Sequence, residues 1–480
     1  MPEVSFDVCV IGGGPAGSAT ATRLAKLGHS VCVVESSVFP RPHVGESLTP
    51  GIRPIFDVLG FVEPTRNGFS NSGETLVRWS ETNVEHIVPS RRAGGLLVDR
   101  GRFDTLLLQG ATRNGVRVFQ PARVTKVGSD DLGWRIQVTA NGSSHSVTAK
   151  FLVDAAGRKG FLQRNRKTVS PRTLALCGYL TSEECPTVTL VEATPYGWCW
   201  GAPIPGGLFS TMVFLDRDTV QAQRREGLEF VWRSHLAKAE LFSVISRLKL
   251  IGRLVVCDAT TYFAEDPIDG NIIRVGEASF ALDPLSSTGV EKAMQSGLIA
   301  ATTLHTILTR SDRKELCARF YRERQKETVL LHASWSSEFY GKVRRYADLP
   351  FWRERMRVSP HSRVEQGPVA ATWGEASPTL TSKVKISANA ELAEEACILG
   401  DEICSRPALS HPSLGRPVAF VEGVEVGLLL DMVQRSTDLG RLLALWSSRI
   451  SPIQAIRVAA WFFSKKILEI ENGRGVERVR

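Results

Sequence analysis

No apolar run in this 480-residue chain approaches the roughly 20 residues that a membrane-crossing helix needs. The nearest stretch, IRVAAWFFSKKILEI, is broken by Ser464, Lys465 and Lys466 and reads as a packed amphipathic helix. Stable membrane insertion is therefore not expected. The N-terminus lacks the basic, apolar, small-residue order of a signal peptide, and a strand begins almost at once. The nine cysteines form no Cys-x-x-Cys pair and no regular framework, so neither a disulfide scaffold nor a metal site is expected. Cys9 and Cys32 fall inside apolar strands, where Cys serves as a small hydrophobe. A reducing cytoplasm fits this usage. There is no internal repeat, no nucleic-acid-binding motif and no second Gly-x-Gly-x-x-Gly.

What is present describes an ordinary globular chain, 43% hydrophobic and 23% charged, long enough for several structural units. The 59 basic against 50 acidic residues leave a net charge of +9, with basic clusters at Arg158–Arg172, Arg310–Lys326 and Lys342–Arg357. Such a surface favours anionic partners, an acidic polypeptide among them, although any one cluster can simply be a solvated helix face.

The most informative segment is 6–35, FDVCVIGGGPAGSATATRLAKLGHSVCVVE. Gly12-x-Gly14-x-x-Gly17 follows an apolar strand and opens an Ala-rich helix, with Pro15 and Ala16 at its start. A second strand then ends on Glu35 and Ser36. Gly12 permits the tight turn, Gly14 lets the backbone approach a pyrophosphate, and Gly17 lets helix and strand pack closely. The helix N-terminus offers N–H groups to phosphates, and Glu35 is placed to accept from a ribose hydroxyl. The fingerprint by itself leaves FAD and NAD open.

The pattern predicts an α/β chain in which a Rossmann-type dinucleotide domain (1–75, 101–172, 263–357) is interleaved with an antiparallel-sheet substrate domain (76–100, 173–262). A Pro/Ser/Thr/Gly-rich linker is expected over 358–390, and a small helical or winged-helix-like unit over 391–480. In that last unit LGRPVAFVEG predicts a strand pair with a Glu-Gly turn, three helices follow, and Ser451-Pro452 is a fitting N-cap and first position for the last.

Four further segments occur in order. They are Arg41-Pro-His-Val-Gly-Glu-Ser47-Leu-Thr-Pro50, Asp99-Arg100-x-x-Phe103-Asp104, Val153-Asp-Ala155-Ala-Gly157-Arg158, and Gly276-Glu277-Ala-x-x-x-x-Asp283-Pro284. Together with the first they resemble, over about 5–350, the FAD-dependent family that includes flavin monooxygenases, geranylgeranyl reductases and flavin-dependent halogenases. The resemblance implies FAD as cofactor. It places the Gly-Glu-Ser loop beside the flavin, Arg100 and the Ala155–Gly157 turn against the cofactor, and Asp283 on the ribityl chain. Glu277 stands where the family usually has Asp. Ser286-Ser-Thr288-Gly289-Val290 opens a helix whose N–H groups can face the flavin O2/N1 region, or whose hydroxyls simply cap it.

Tyr196-Gly-Trp198-Cys-Trp200-Gly-Ala-Pro203-Ile-Pro205 resembles the Trp-x-Trp-x-Ile-Pro signature of flavin-dependent halogenases, with two extra residues before Ile204-Pro205. Substrate contact and plain sheet packing both suit these tryptophans. Halogenases of the family also need a Lys in the strand after the Gly-Glu-Ser loop. That strand reads Glu74-Thr-Leu-Val-Arg-Trp-Ser80, and no Lys occurs from 51 to 125. Arg is no substitute, because its guanidinium stays protonated. His43 and Glu46 are the titratable groups expected near the flavin, as acid/base groups or as structural ones, with Thr288 a third candidate.

The resemblance thus implies an FAD-dependent monooxygenase that uses O₂ and a flavin C4a-hydroperoxide to hydroxylate an electron-rich aromatic ring. NADH, NADPH or a separate flavin reductase would supply electrons. The halogenase-like core without the Lys, the basic surface and the extra C-terminal unit together resemble flavoproteins that hydroxylate a peptidyl tryptophan during quinone-cofactor maturation. A halogenase, a prenyl-lipid reductase and a non-catalytic flavin-binding assembly factor are the alternatives.

Overall fold

A computed structural model describes residues 4–61, 68–80, 83–130, 133–140, 142–162, 165–357, 378–436 and 438–471. Contacts divide the chain into two compact units, Met1–Asp312 with Tyr321–His361, and Arg313–Phe320 with Ser362–Arg480.

The first unit is built on two sheets. The eight-stranded sheet has a parallel centre in the order Ile272–Arg274, Ser143–Asp154, Val4–Ile11, Val31–Val34, Arg117–Phe119. These strands read as nearly continuous apolar runs because helices cover them, as a parallel sheet requires. Val8–Val10 and Val31–Val33 are at most 3% exposed. The helix Pro15–Lys26 crosses back from the first strand to the second, and its small residues let the helix Gly289–Thr309 pack closely against it. A Cβ on Gly297 would lie 2.6 Å from the Ala16 carbonyl oxygen.

The seven-stranded sheet runs in the order Leu250–Asp258, Thr173–Leu180, Leu208–Asp216, Gly197–Ile204, Thr189–Thr194, Thr75–Arg78, Glu85–Ile87. It is antiparallel except where Thr75–Arg78 meets Thr189–Thr194. One face holds Leu176, Cys199, Val213 and Trp232; the other holds Trp198, Trp200, Phe214, Tyr340 and Trp352.

The expected α/β architecture is therefore present, with local differences. Ser143–Asp154 runs as one continuous strand. Leu96–Leu97 pairs with Ser47–Leu48 and Ser70–Asn71 and not with the large sheet. The strand Leu250–Asp258 was not anticipated, because Gly252 and Arg253 interrupt its apolar pattern.

In the second unit Glu422 and Gly423 both have positive φ, 50° and 78°, as the two central residues of a type I′ hairpin demand, and join Phe420–Val421 to Val424–Glu425. Helices Val426–Val433, Leu439–Ser447 and Pro452–Ser464 follow, the last with a complete Ser451/Gln454 capping box. Much of the expected linker, 358–377, lies outside the described residues. Its remainder carries the strand Val384–Ile386, which pairs with Leu468–Ile470, and the hairpin Glu391–Ser410 also went unforeseen. No described helix is long and apolar enough to cross a membrane.

Candidate functional site

The dinucleotide cradle begins where Val4–Ile11 ends. Gly12 has φ +109°, and a Cβ there would lie 2.3 Å from the Ala155 carbonyl oxygen. A Cβ on Gly17 would lie 2.0 Å from the Gly12 carbonyl oxygen. Both glycines are thus required by protein packing. Gly14 differs. Its backbone is extended, and a Cβ would meet only the Arg41 guanidinium, at 3.7 Å. No side chain caps the helix that starts at Pro15, so its first-turn N–H groups are left for a ligand. Arg41 lies over the Phe39 ring and 3.7 Å from Asp104, and its buried Nε has no protein partner. An uncapped helix start, an empty space beside Gly14 and a guanidinium with a spare donor fit the diphosphate of FAD.

Glu35 is buried, and its carboxylate accepts from the Gly13 N–H and the Ser37 N–H, each at 2.7 Å. It therefore locks the glycine turn, a role the sequence did not reveal, while each oxygen keeps a lone pair for a ribose hydroxyl. Ser36 beside it is exposed. The Ala155–Gly157 turn is held by Asp154, whose fully buried carboxylate accepts from the N–H groups of Ala156, Phe161 and Leu162.

The loop from Arg41 to Ser47 is fixed by Arg100. This buried guanidinium binds both oxygens of Asp104, at 3.0 and 3.2 Å, and donates to the Val44 carbonyl at 2.6 Å. Two of its nitrogens thus hold Asp104, and the third holds the loop carbonyls of Val44 and Gly45. His43 bonds the Val44 carbonyl through Nδ1, and burial together with the Arg100 charge holds its pKa down, so it stays neutral near pH 7. Glu46 is 1% exposed and accepts from the Tyr179 hydroxyl at 2.7 Å, the Ser210 hydroxyl at 3.3 Å and the Gly45 N–H at 2.9 Å. Burial pushes its pKa up despite these donors.

Tyr179, Ser210 and Ala202 sit in register on one face of the large sheet, in line with Met212 and Trp200. The loop of Glu46 therefore lies against the face that carries the aromatic cluster. Trp198 is 2% exposed, stacked on Phe214 at 3.9 Å and edge-on to Trp79 at 6.0 Å. Its packing role is evident. Trp200 is also buried, Pro203 is half-buried, and Val44 and Leu285 border the cluster from the loops that carry Glu46 and Asp283.

The last segment closes the site. Gly276 has φ +55°, and a Cβ there would lie 2.8 Å from that of Ala16. Glu277 pairs with Arg158 at 3.2 Å. Asp283 is buried, caps the Pro284–Ser286 turn through the Leu285 N–H, and accepts from the Tyr340 hydroxyl at 3.1 Å. The Thr288 hydroxyl bonds that of Ser286 at 2.7 Å. The helix then starts at Gly289, again without a side-chain cap. A Cβ on Gly45 would lie 3.8 Å from Val290, so this helix start and the Arg41–Ser47 loop face each other.

Glu46 carries a pH signature. Its folded pKa exceeds its unfolded one, so its contribution to stability is complete below the usual carboxylate range and is lost as pH rises through the folded value. The Tm of Glu46→Gln relative to the parent should therefore improve with rising pH. A difference that stays flat between acidic and neutral pH would show that the carboxyl is not shifted.

A model of the Tryptophan halogenase family matches residues 7–81 and 83–372. A Tryptophan 2-halogenase of Chondromyces crocatus is 29% identical over 392 residues, 77% of this chain and 75% of its own. Among solved structures, the peptidyl tryptophan dihydroxylase QhpG, essential for tryptophylquinone cofactor biogenesis, superposes with a TM-score of 0.74 at 25% identity, over 96% of this chain and 99% of that one. The myxobacterial chondrochloren halogenase CndH gives 0.68 at 26% identity, over 74% of this chain and 86% of its own.

Proposed function

The chain belongs to the tryptophan halogenase family and is an FAD-dependent oxidoreductase, and from that premise we propose that it hydroxylates an aromatic ring, a peptidyl tryptophan, and does not halogenate one. The observation that carries this reading is the strand Thr75–Arg78. It offers no Lys. Its only cation, Arg78, is bound to Glu192 at 3.0 Å and Glu240 at 2.8 Å. A guanidinium so held, and always protonated, is no carrier of an oxidised halide. The likeness to a peptidyl tryptophan dihydroxylase supports a polypeptide substrate, while the extent of coverage does not discriminate, since a flavin-dependent halogenase is covered as fully.

When bound and reduced, by NADH, NADPH or a separate flavin reductase, the flavin supplies the electrons with which O₂ places one oxygen atom on the ring and loses the other as water. The chain's residues bind and orient. Gly14, Arg41 and the Pro15 helix start would hold the diphosphate, and Glu35 the adenosine ribose. Asp283, with Glu277 beside it, would hold the ribityl hydroxyls, Glu277 being the more open of the two. The helix start at Gly289 would direct N–H groups at the reduced ring's negative charge. Glu46, whose pKa burial raises, would present its carboxyl at the sheet side of the loop, and Trp200, Val44 and Leu285 would exclude water.

The test is mass spectrometry of a tryptophan-bearing polypeptide after turnover with O₂ and reductant. The expected product carries added oxygen and forms without halide. Halogen mass that depends on added chloride or bromide, the chemistry in the name of the Chondromyces relative, would overturn the hydroxylase reading. Oxygenation of free indoles alone would overturn its peptidyl part.

A further inference from the structure

The large sheet has two outer edges, and they are built differently. Glu85–Ile87 is three residues long and carries exposed Glu85 and His86, a protected edge. Leu250–Asp258 runs nine residues, and among the described residues no strand pairs with its outer side. Val255 is 42% exposed and Val256 40%. Successive residues of a strand point to opposite faces, so both sides of this edge are open together. A long apolar edge is a template for another strand. Its surroundings are more basic than acidic. Arg247, Lys249 and Arg253 are exposed at one end, against Glu183 and Glu184 beyond the paired Leu180, and Arg166, Lys167 and Arg172 flank the other, against Asp258.

We propose that the Leu250–Asp258 edge binds an extended acidic segment of the polypeptide substrate as an added β-strand. This rests on the reading that the target ring is carried by a polypeptide. The inner neighbour, Thr173–Leu180, places Tyr179 in register with Ile251, and Tyr179 donates to Glu46. Strands lie roughly 4.8 Å apart, so an added strand would run about 10 Å from the backbone of Tyr179. A segment anchored there is held two strands from the candidate site, and the chain continuing from it can deliver a side chain. A second copy of this chain is the poorer occupant, because two molecules of charge +9 would bring their basic flanks together.

Short synthetic peptides in which Glu or Lys alternates with Val are the probes, read by fluorescence anisotropy and by amide hydrogen exchange. The Glu peptide should bind the holoenzyme, slow exchange across 250–258 and weaken with salt. Val255→Glu with Val256→Glu should weaken it about tenfold or more, and the milder Arg253→Glu severalfold, with FAD content unchanged. Equal binding of the Lys peptide, absence of protection across 250–258, or a dimer abolished by the double substitution would each overturn the proposal. Oxygenation of a tryptophan-bearing polypeptide by the double variant at unchanged KM would remove the edge and leave the hydroxylase standing. Edge binding without oxygenation would do the reverse.

Discussion

Gly14→Val should yield a folded, colourless protein. The backbone at Gly14 has φ −68° and ψ −176°, which valine adopts without strain, and its Cβ would touch only the end of Arg41 at 3.7 Å. The new methyl groups would instead occupy the space offered to the diphosphate. A loss of affinity of at least a hundredfold, about 2.7 kcal/mol, is expected. Flavin absorbance of the purified protein reads it directly, and thermal unfolding reads it a second way. A ligand at a hundredfold excess over its Kd stabilises by about 2.7 kcal/mol, so added FAD should raise the Tm of the parent and not of the variant, while the two apo-proteins unfold alike. Gly17→Val is the contrasting control. There the Cβ would strike the Gly12 carbonyl at 2.0 Å, and the apo-protein itself should be destabilised. A fully flavinylated Gly14→Val would refute the placement of the diphosphate.

Arg100→Met should lower stability by about 3–5 kcal/mol. The substitution leaves the Asp104 carboxylate, fully buried, with no closer cation than Arg41 at 3.7 Å, and breaking one side of a buried pair carries a penalty of this size. Removing both partners is far milder, because no buried charge is then left alone. Arg100→Met with Asp104→Leu should therefore regain most of the loss in urea denaturation. FAD retention should stay low in the double variant, since the Val44 carbonyl has still lost its donor and the Arg41–Ser47 loop its anchor. A double variant that recovers both stability and flavin would show that Arg100 acts only through Asp104.

Residues close in sequence announced themselves. The turn at Gly12–Gly17, the Glu422-Gly423 hairpin and the Ser451 cap are local devices whose geometry follows from backbone sterics and one or two hydrogen bonds. The strand Leu250–Asp258 escaped because Gly252 and Arg253 interrupt its apolar pattern, which an edge position, with little burial to enforce it, tolerates. The hairpin Glu391–Ser410 escaped for a similar reason, since its first strand is largely exposed.

The candidate site divides the same way. The glycine spacing proposed a dinucleotide cradle on Gly12, Gly14, Gly17 and Glu35, the family resemblance made the dinucleotide FAD, and the Lys that the resemblance calls for and the chain lacks turned the expected chemistry toward oxygen. Which partner each polar group would find was not written locally. Glu46 meets Tyr179 and Ser210 across 133 and 164 residues, Asp283 meets Tyr340 across 57, and Arg100 turns to Val44 across 56. Trp198 faces Phe214 because of the register between two antiparallel strands, and a slip of one residue would send it to the opposite face. The sequence alone determined which groups can bind a dinucleotide, because that depends on conformations within a few residues. Only the tertiary structure decided which of them also hold the loops, because buried hydrogen bonds and sheet register join segments that no local pattern connects.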